Sequence, residues 1–248
     1  MVSARKLVTD FTPMAIAKPL ERSMTEYRVI RAGESRSFPQ EHVFTESASA
    51  AGVNVVIIGR YAGSALPSPD DSKGASFVAI ELENECLAVH SGLNQSAENA
   101  RHVGFARFRL GTADPTSLVE LVHLPWTNPD AVQSAKEAFE QSGLQVALCA
   151  DFPGRIINRL LRPYLNAALR RIDEKLASPE DMDKTLRMGL GYPEGPYEML
   201  QRTGLEDHFE VTQKLYEALG QEAYAPARAA MIANQRRSKE SLASPSDG

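Results

Sequence analysis

The sequence predicts an α/β part followed by an all-α part. Three patterns carry that expectation. Short runs rich in Val, Ile and Leu, of strand length and bounded by turn residues, recur between residues 53 and 151. Within that region the stretch "SLVELVHLPWTNPDAVQSAKEAFEQSGLQVALCAD" (117–151) reads strand, helix, strand with short loops. Such a βαβ unit requires parallel pairing. Beyond Pro153-Gly154 the apolar residues fall at helical spacing and continue so almost to the end.

Residues 1–50 carry little pattern, and only "EYRVIRAG" (26–33) looks like a strand. "VNVVIIG" (53–59), "SFVAIELE" (76–83), "CLAVH" (86–90), "HVGFARF" (102–108) and "SLVELVHL" (117–124) suit strands, with "GSALPSPDDSKG" (63–74) as a loop. Asn128 and Pro129 start a helix with Val132, Ala135, Ala138 and Phe139 on one face, and Gly143 ends it before the strand "LQVALCAD" (144–151). A helix follows Pro153-Gly154, with Ile156, Leu160, Tyr164 and Leu165 at helical spacing. Pro163 lies inside it and should free the carbonyl of Arg159. Ser178 is an N-cap with Pro179 in the first helical position, and Gly189 or Gly191 closes that helix. Pro196 opens a short helix that stops at Gly204, "LEDHFEVTQKLYEALG" (205–220) is amphipathic, and another short helix falls near Pro226. Residues 237–248 read as a disordered tail.

Composition narrows the function classes. The chain has 248 residues, 43% apolar and 24% charged, with net charge −5 and no basic block. General nucleic-acid binding is disfavoured. No run reaches the length of a membrane span, and "MVSARKLVTDFTPMAIAKPL" has no continuous apolar segment, so a cytoplasmic protein is expected. Cys86 and Cys149 have no metal-ligand spacing and read as buried free thiols in a reducing compartment; no metal site is expected. Arg155, Arg159, Arg162, Arg170 and Arg171 gather in one helix, either on a solvated or subunit-facing surface or around an anionic ligand. Asn158 sits between Ile157 and Leu160, close to the apolar stripe. A carboxamide there needs partners, so it either ties the helix start to neighbouring backbone or holds a ligand.

The stretch "DFPGRIINRLLRPYLNAALRRIDEKLASPEDMDKTLRMGLGYPEGPYEMLQRTGL" (151–205) resembles the C-terminal domain of the 3-hydroxyacyl-CoA dehydrogenases. That family carries a PGF-x-x-NRLL-x-PYLNEA helix, an SPEDID segment and a GxGxPMGP turn. Pro153, Gly154, Asn158, Arg159, Pro163, Gly195 and Pro196 fall on this pattern in order. The resemblance continues upstream through "SLVELVHL" and the strand–helix–strand that follows. It implies a shortened Rossmann-like domain with a mostly parallel sheet over residues 1–151. A helical domain of the 6-phosphogluconate-dehydrogenase C-terminal type then covers 152–236. Family members use the helical part to dimerise and to close over acyl-CoA, with NAD as the oxidant. Asn158 matches the family's active-site asparagine, and Glu120 matches the glutamate that orients the catalytic histidine. For Glu120 a plain strand-end salt bridge is the competing reading.

The chemistry around these two residues departs from the family. Where the family has the strand G-[LM]-H-F-F-N-P, this chain reads "VGFARFRLG", with Ala106 at the histidine position and two extra residues before Glu120. Oxidising a secondary alcohol needs a base for the hydroxyl proton as hydride leaves, and a methyl group cannot serve. His90, His102 and His123 lie nearby in sequence but read as core or surface residues. A dinucleotide loop needs G-x-G-x-x-G. In "VVIIGRYAGSALPSPDD" Gly59 and Gly63 are one residue too close, Tyr61 intrudes, and Pro67 and Pro69 spoil the helix that should follow. This register would put Glu81 or Glu83 near the position of the ribose acid. A second register makes "VNVVIIG" the family's fourth strand and brings Ser91 near its substrate serine; it runs more smoothly into "HVGFARF". The resemblance therefore implies NAD and acyl-CoA as ligands, while Gly59 and Gly63 offer NAD little. Two classes are expected: a relative with impaired or lost oxidation that still dimerises or holds acyl-CoA, or a divergent active dehydrogenase. A homodimer is implied, or a heteromer with a full-length paralogue.

Overall fold

The computed structural model describes residues 25–243, so the first 24 residues and the last five lie outside the description, including the segment read for a leader. Six strands form one sheet in the order in which they occur. They are β1 (Tyr27–Arg31), β2 (Asn54–Ile58), β3 (Val78–Glu81), β4 (His102–Arg107), β5 (Leu118–His123) and β6 (Gln145–Ala150). β1 to β4 are mutually parallel, β5 turns back antiparallel to β4, and β6 pairs parallel with β5. "VNVVIIG" is thus the second strand of the sheet and "EYRVIRAG" the first.

Alternation along the strands sends successive side chains to opposite faces, and both faces are covered. On one face Val56, Ile58, Ala79, Phe105 and Leu121 pack with two helices, α1 (Val43–Glu46) and α3 (Pro129–Gln141). The rings of Phe44 and Phe139 stack there at 4.5 Å. The other face buries Val55, Ile57, Val78, Ile80 and Val122 beneath Ala62, Leu87 and Leu124. Asn128 caps α3 as its sequence predicts, accepting a hydrogen bond from the Asp130 amide at 2.9 Å. "CLAVH" is a correction: residues Ala88–Ser91 form a helical turn, α2, not a strand. The Asp151 carboxylate accepts from the Leu87 and Ala88 amides at 2.6 and 3.0 Å, which starts the turn and leaves no ladder for these groups to join.

Face assignments also fix the hand of the connections. The β2–β3 and β3–β4 connections cross on the face of Ala62 and Leu87, whereas the β1–β2 connection crosses on the face of Phe38 and Phe44. All three step the same way across the sheet, so the first has the opposite hand. β5 to β6 steps the same way with reversed strand direction and crosses on the Phe139 face, which gives it the common hand. Right-handed crossovers prevail overwhelmingly. The β1–β2 connection is therefore the left-handed one.

The remaining elements are α4 (Ile157–Asp173), α5 (Pro179–Leu190), α6 (Pro196–Thr203), α7 (Leu205–Leu219) and α8 (Arg228–Ala243). Ser178 accepts from the Asp181 amide at 3.1 Å, and Gly191 closes α5 in the left-handed region. Pro163 leaves the Arg159 carbonyl free of its helical partner, and the Tyr224 hydroxyl donates to it at 3.2 Å. Leu165, Leu169, Leu200 and Ala230 form the core of this region. α8 is longer than its sequence suggests and runs through residues 237–243 of the expected disordered tail. It lies along α7, and Arg237 pairs with Glu210 across that contact. Both cysteines are free but only half-buried. Among the described residues no helix is long and apolar enough to cross a membrane, and no cluster of His, Cys, Asp or Glu could hold a metal.

Candidate functional site

The carboxyl ends of the parallel strands meet the first turns of α4 and the side of α7 in a cleft of about 390 Å³. Crevices at this edge of a sheet are where α/β proteins hold ligands. Glu34 and Arg36 follow β1, Arg60 follows β2, and Glu83 and Asn84 follow β3. Ala106 through Arg109 close β4, Glu120 comes from β5, and Asn158 and Arg162 come from α4. Glu120 and Asn158 are thus brought together. Ser91 is not: it sits in α2, buried, with its hydroxyl donating to the Leu87 carbonyl at 3.3 Å.

Glu120 is 2% exposed and directly opposite Ala106 in the antiparallel β4–β5 pair. One carboxylate oxygen accepts from the Ile156 and Ile157 amides at 2.9 and 2.8 Å, so Glu120 caps the start of α4. Its other oxygen faces Arg155 Nε at 3.3 Å. The sequence places Arg155 only in the arginine cluster, and its pairing with Glu120 was not foreseen. Arg155 occupies the place of the phenylalanine in the family's PGF pattern, and the mismatch was the available signal. The backbone there has φ 52, in the left-handed region. That twist folds the side chain back under β5, where it also donates to the Glu83 carbonyl at 2.6 Å. The position beside Glu120 is therefore filled by a guanidinium from the helix side, and β4 contributes a methyl group.

Asn158 is nearly buried, 8% exposed, and answers both of its sequence readings in part. Its side-chain oxygen accepts from Arg162 Nε at 3.1 Å, and its amide group donates weakly to Asn84 at 3.4 Å. It lines the cleft at the same time. Arg162, fully buried, donates to Asp207 at 3.0 Å and to His208 Nδ1 at 3.2 Å. Burial lowers the Arg162 pKa, and Asp207 opposes the shift. Burial together with the neighbouring Arg162 brings His208 down to about 3. A neutral His208 then donates from Nε2 to Asn166, 2.9 Å away. Of the arginine cluster, Arg155 and Arg162 face inward and line the cleft, while Arg170 and Arg171 bind carbonyls and carboxylates at the far end of α4. None of His90, His102 and His123 lines the cleft.

The carboxyl edge of the sheet is also where a dinucleotide's phosphates would need free amides. Glu81, buried on β3, accepts from the Gly59 and Ser37 amides at 2.6 and 2.7 Å. A Cβ at Gly59 would lie 2.4 Å from the Ala32 carbonyl oxygen, and one at Gly63 would lie 1.9 Å from the His90 ring. Both glycines serve internal close approaches, so the residues present do not fit a dinucleotide pyrophosphate. Glu85 repeats the pattern, accepting from the Glu83 and Asn84 amides. Burial would raise its pKa, but the His90 contact and the amides hold it at about 2.

A mostly parallel Rossmann-like sheet, joined to a helical array whose first long helix floors the cleft, defines the class of the chain. Residues 154–244 match the family model "3-hydroxyacyl-CoA dehydrogenase, C-terminal domain". Those residues are similar to the C-terminal domain of the 3-hydroxyacyl-CoA dehydrogenases. Over 136 residues it is 34% identical to the mitochondrial hydroxyacyl-coenzyme A dehydrogenase of Sus scrofa, which covers 55% of this chain and 43% of that protein. The chain thus spans less than half the length of the curated relatives it matches. The (S)-3-hydroxybutyryl-CoA dehydrogenase PaaH1 from Ralstonia eutropha superposes with a TM-score of 0.64 at 21% identity, over 78% of this chain and 69% of that one. The Escherichia coli 3-hydroxybutyryl-CoA dehydrogenase gives 0.64 at 24%, over 74% and 39%. These two likenesses are of fold.

Proposed function

We propose that this chain is a 3-hydroxyacyl-CoA dehydrogenase relative that holds an acyl-CoA in the cleft and has lost NAD-dependent oxidation. One observation carries the reading: the carboxylate of Glu120 is taken up by two backbone amides and Arg155, opposite Ala106. No histidine lines the cleft to accept the hydroxyl proton. The internal ligation of the Gly59 and Ser37 amides by Glu81 argues in the same direction for the cofactor. Asn158 is assigned to the polar end of the acyl group, Glu120 to holding α4, and Ser91 to no part of the site. The domains are taken as 1–151 and 152–236. A cytoplasmic location suits two free thiols. Leu160, Leu176, Met188 and Leu190 are 63–82% exposed on the helical part, which favours association there as a homodimer, or with a longer paralogue.

Separate titrations of the purified chain with NADH and with acetoacetyl-CoA, followed by fluorescence, test the reading. Acetoacetyl-CoA should bind and NADH should not. An NADH dissociation constant in the low micromolar range with turnover of 3-hydroxybutyryl-CoA would restore the divergent active dehydrogenase.

A further inference from the structure

Arg155 has more donors than its protein partners use. Nε reaches Glu120, Nη2 reaches the Glu83 carbonyl, and Nη1 is buried without a partner among the described residues. The side chain is 5% exposed, so water does not solvate the group freely. An unmatched buried donor on a charged group is unfavourable and calls for an explanation. The left-handed backbone at Arg155 adds a second cost that a glycine would avoid. Two unfavourable features converge on one side chain lining a cleft, which Ala106, opposite Glu120, also lines.

The charge balance says what would match the donor. Among the residues lining the cleft, seven are Arg or Lys and five are Asp or Glu, although the whole chain carries net charge −5. Arg107 donates only to the carbonyls of Ser37, Pro115 and Thr116, and Arg109 only to those of Thr112 and Ala113. Among the described residues neither has a carboxylate partner. Arg36 and Arg162 share one, Asp207. The cleft therefore holds excess positive charge around the unmatched donor. A neutral carbonyl would satisfy the hydrogen bond but leave that charge uncompensated, whereas a carboxylate satisfies both.

We propose that the floor of the cleft binds a ligand carboxylate, with Arg155 Nη1 as its donor and the Asn158 carboxamide beside it. This rests on the acyl-CoA reading only for the source of the carboxylate, which is either the far end of a dicarboxylic acyl thioester or a free organic acid. Calorimetry with the full chain separates the cases, using succinyl-CoA, butyryl-CoA and succinate. Succinyl-CoA and butyryl-CoA differ by a terminal carboxylate in place of a methyl group. Succinyl-CoA binding at least about tenfold tighter than butyryl-CoA supports the proposal with a thioester source. Binding of succinate and neither thioester supports it with a free acid, and sinks the acyl-CoA reading. Equal binding of the two thioesters overturns the carboxylate and leaves the acyl-CoA reading standing. No binding of any of the three overturns both. Ala106→Asp, which supplies an internal carboxylate beside Arg155, should erase the discrimination. If that variant does not fold, Glu120→Gln/Arg155→Met removes the buried charges together and should erase it as well. Discrimination that survives in a folded variant overturns the assignment to Arg155.

Discussion

Replacing Glu120 by glutamine separates a residue kept for chemistry from one that holds the chain together. The variant keeps an amide oxygen for the Ile156 and Ile157 amides, 2.9 and 2.8 Å away, so the cap on α4 survives in weakened form. What it loses is the charge opposite Arg155, and it turns an N–H₂ toward the guanidinium. Glu120 and Arg155 are 2% and 6% exposed, so solvent screens little of that change. Breaking a buried pair by removing one partner costs about 3–5 kcal/mol. For a chain of this size that corresponds to a fall in Tm of roughly 10 °C. Glu120→Gln/Arg155→Met should recover at least half of the loss, because it removes the stranded charge. Urea denaturation of the wild type, both single variants and the double variant gives the coupling directly. A loss below about 1 kcal/mol in Glu120→Gln with unchanged m-value would refute the reasoning and return Glu120 to the role it has in the family.

Stability should also fall on mild acidification because of His208. Its folded pKa is depressed to about 3 from 6.5, so its contribution is complete above pH 6.5 and is lost as pH falls from 6.5 toward 3. The slope should be about 1.4 kcal/mol per pH unit. Urea midpoints between pH 6.5 and 5 read it above most of the carboxylate range, and an unchanged slope in His208→Gln would exclude this source. Asn158→Leu should abolish acetoacetyl-CoA binding. It should also cost about 1–3 kcal/mol, since it strands the Arg162 Nε donor; full stability with full binding would remove Asn158 from both roles. Gly59→Ala combines a φ of 114° with a backbone clash and should destabilise by at least about 2 kcal/mol. A thermal melt equal to wild type would show that the turn is softer than its geometry implies.

Legibility in the sequence followed how local each determinant was. Helix starts at Asn128, Ser178 and Pro196 were readable because caps and N1 prolines act within a few residues. Strands buried on both faces were readable as continuous apolar runs. "CLAVH" was misread because the group that converts it to a helical turn, Asp151, lies 64 residues away from Leu87. The continuation of α8 past residue 237 likewise depends on α7, through Arg237 and Glu210. At the site, Glu120 and Asn158 stood out by resemblance. Arg155 did not, because an arginine after a Pro-Gly corner looks solvated until the backbone twist at that position is known.

The departures from the family pattern converge on one physical outcome. Glu81, Glu85, Glu120 and Asp151 each take two backbone amides at a strand end or helix start around the cleft. Such amides are the usual seat for a phosphate at this edge of an α/β sheet. Here the protein supplies the anions itself, at fixed positions and without a ligand. The left-handed β1–β2 connection fits this, since Glu81 ties the loop after β1 to the end of β2 through Ser37 and Gly59. With those amides occupied, Arg155 Nη1 is a buried side-chain donor at the cleft without a partner among the described residues. On the proposed function, the cleft recognises a single anionic group through the Arg155 guanidinium in place of a diphosphate through a glycine loop.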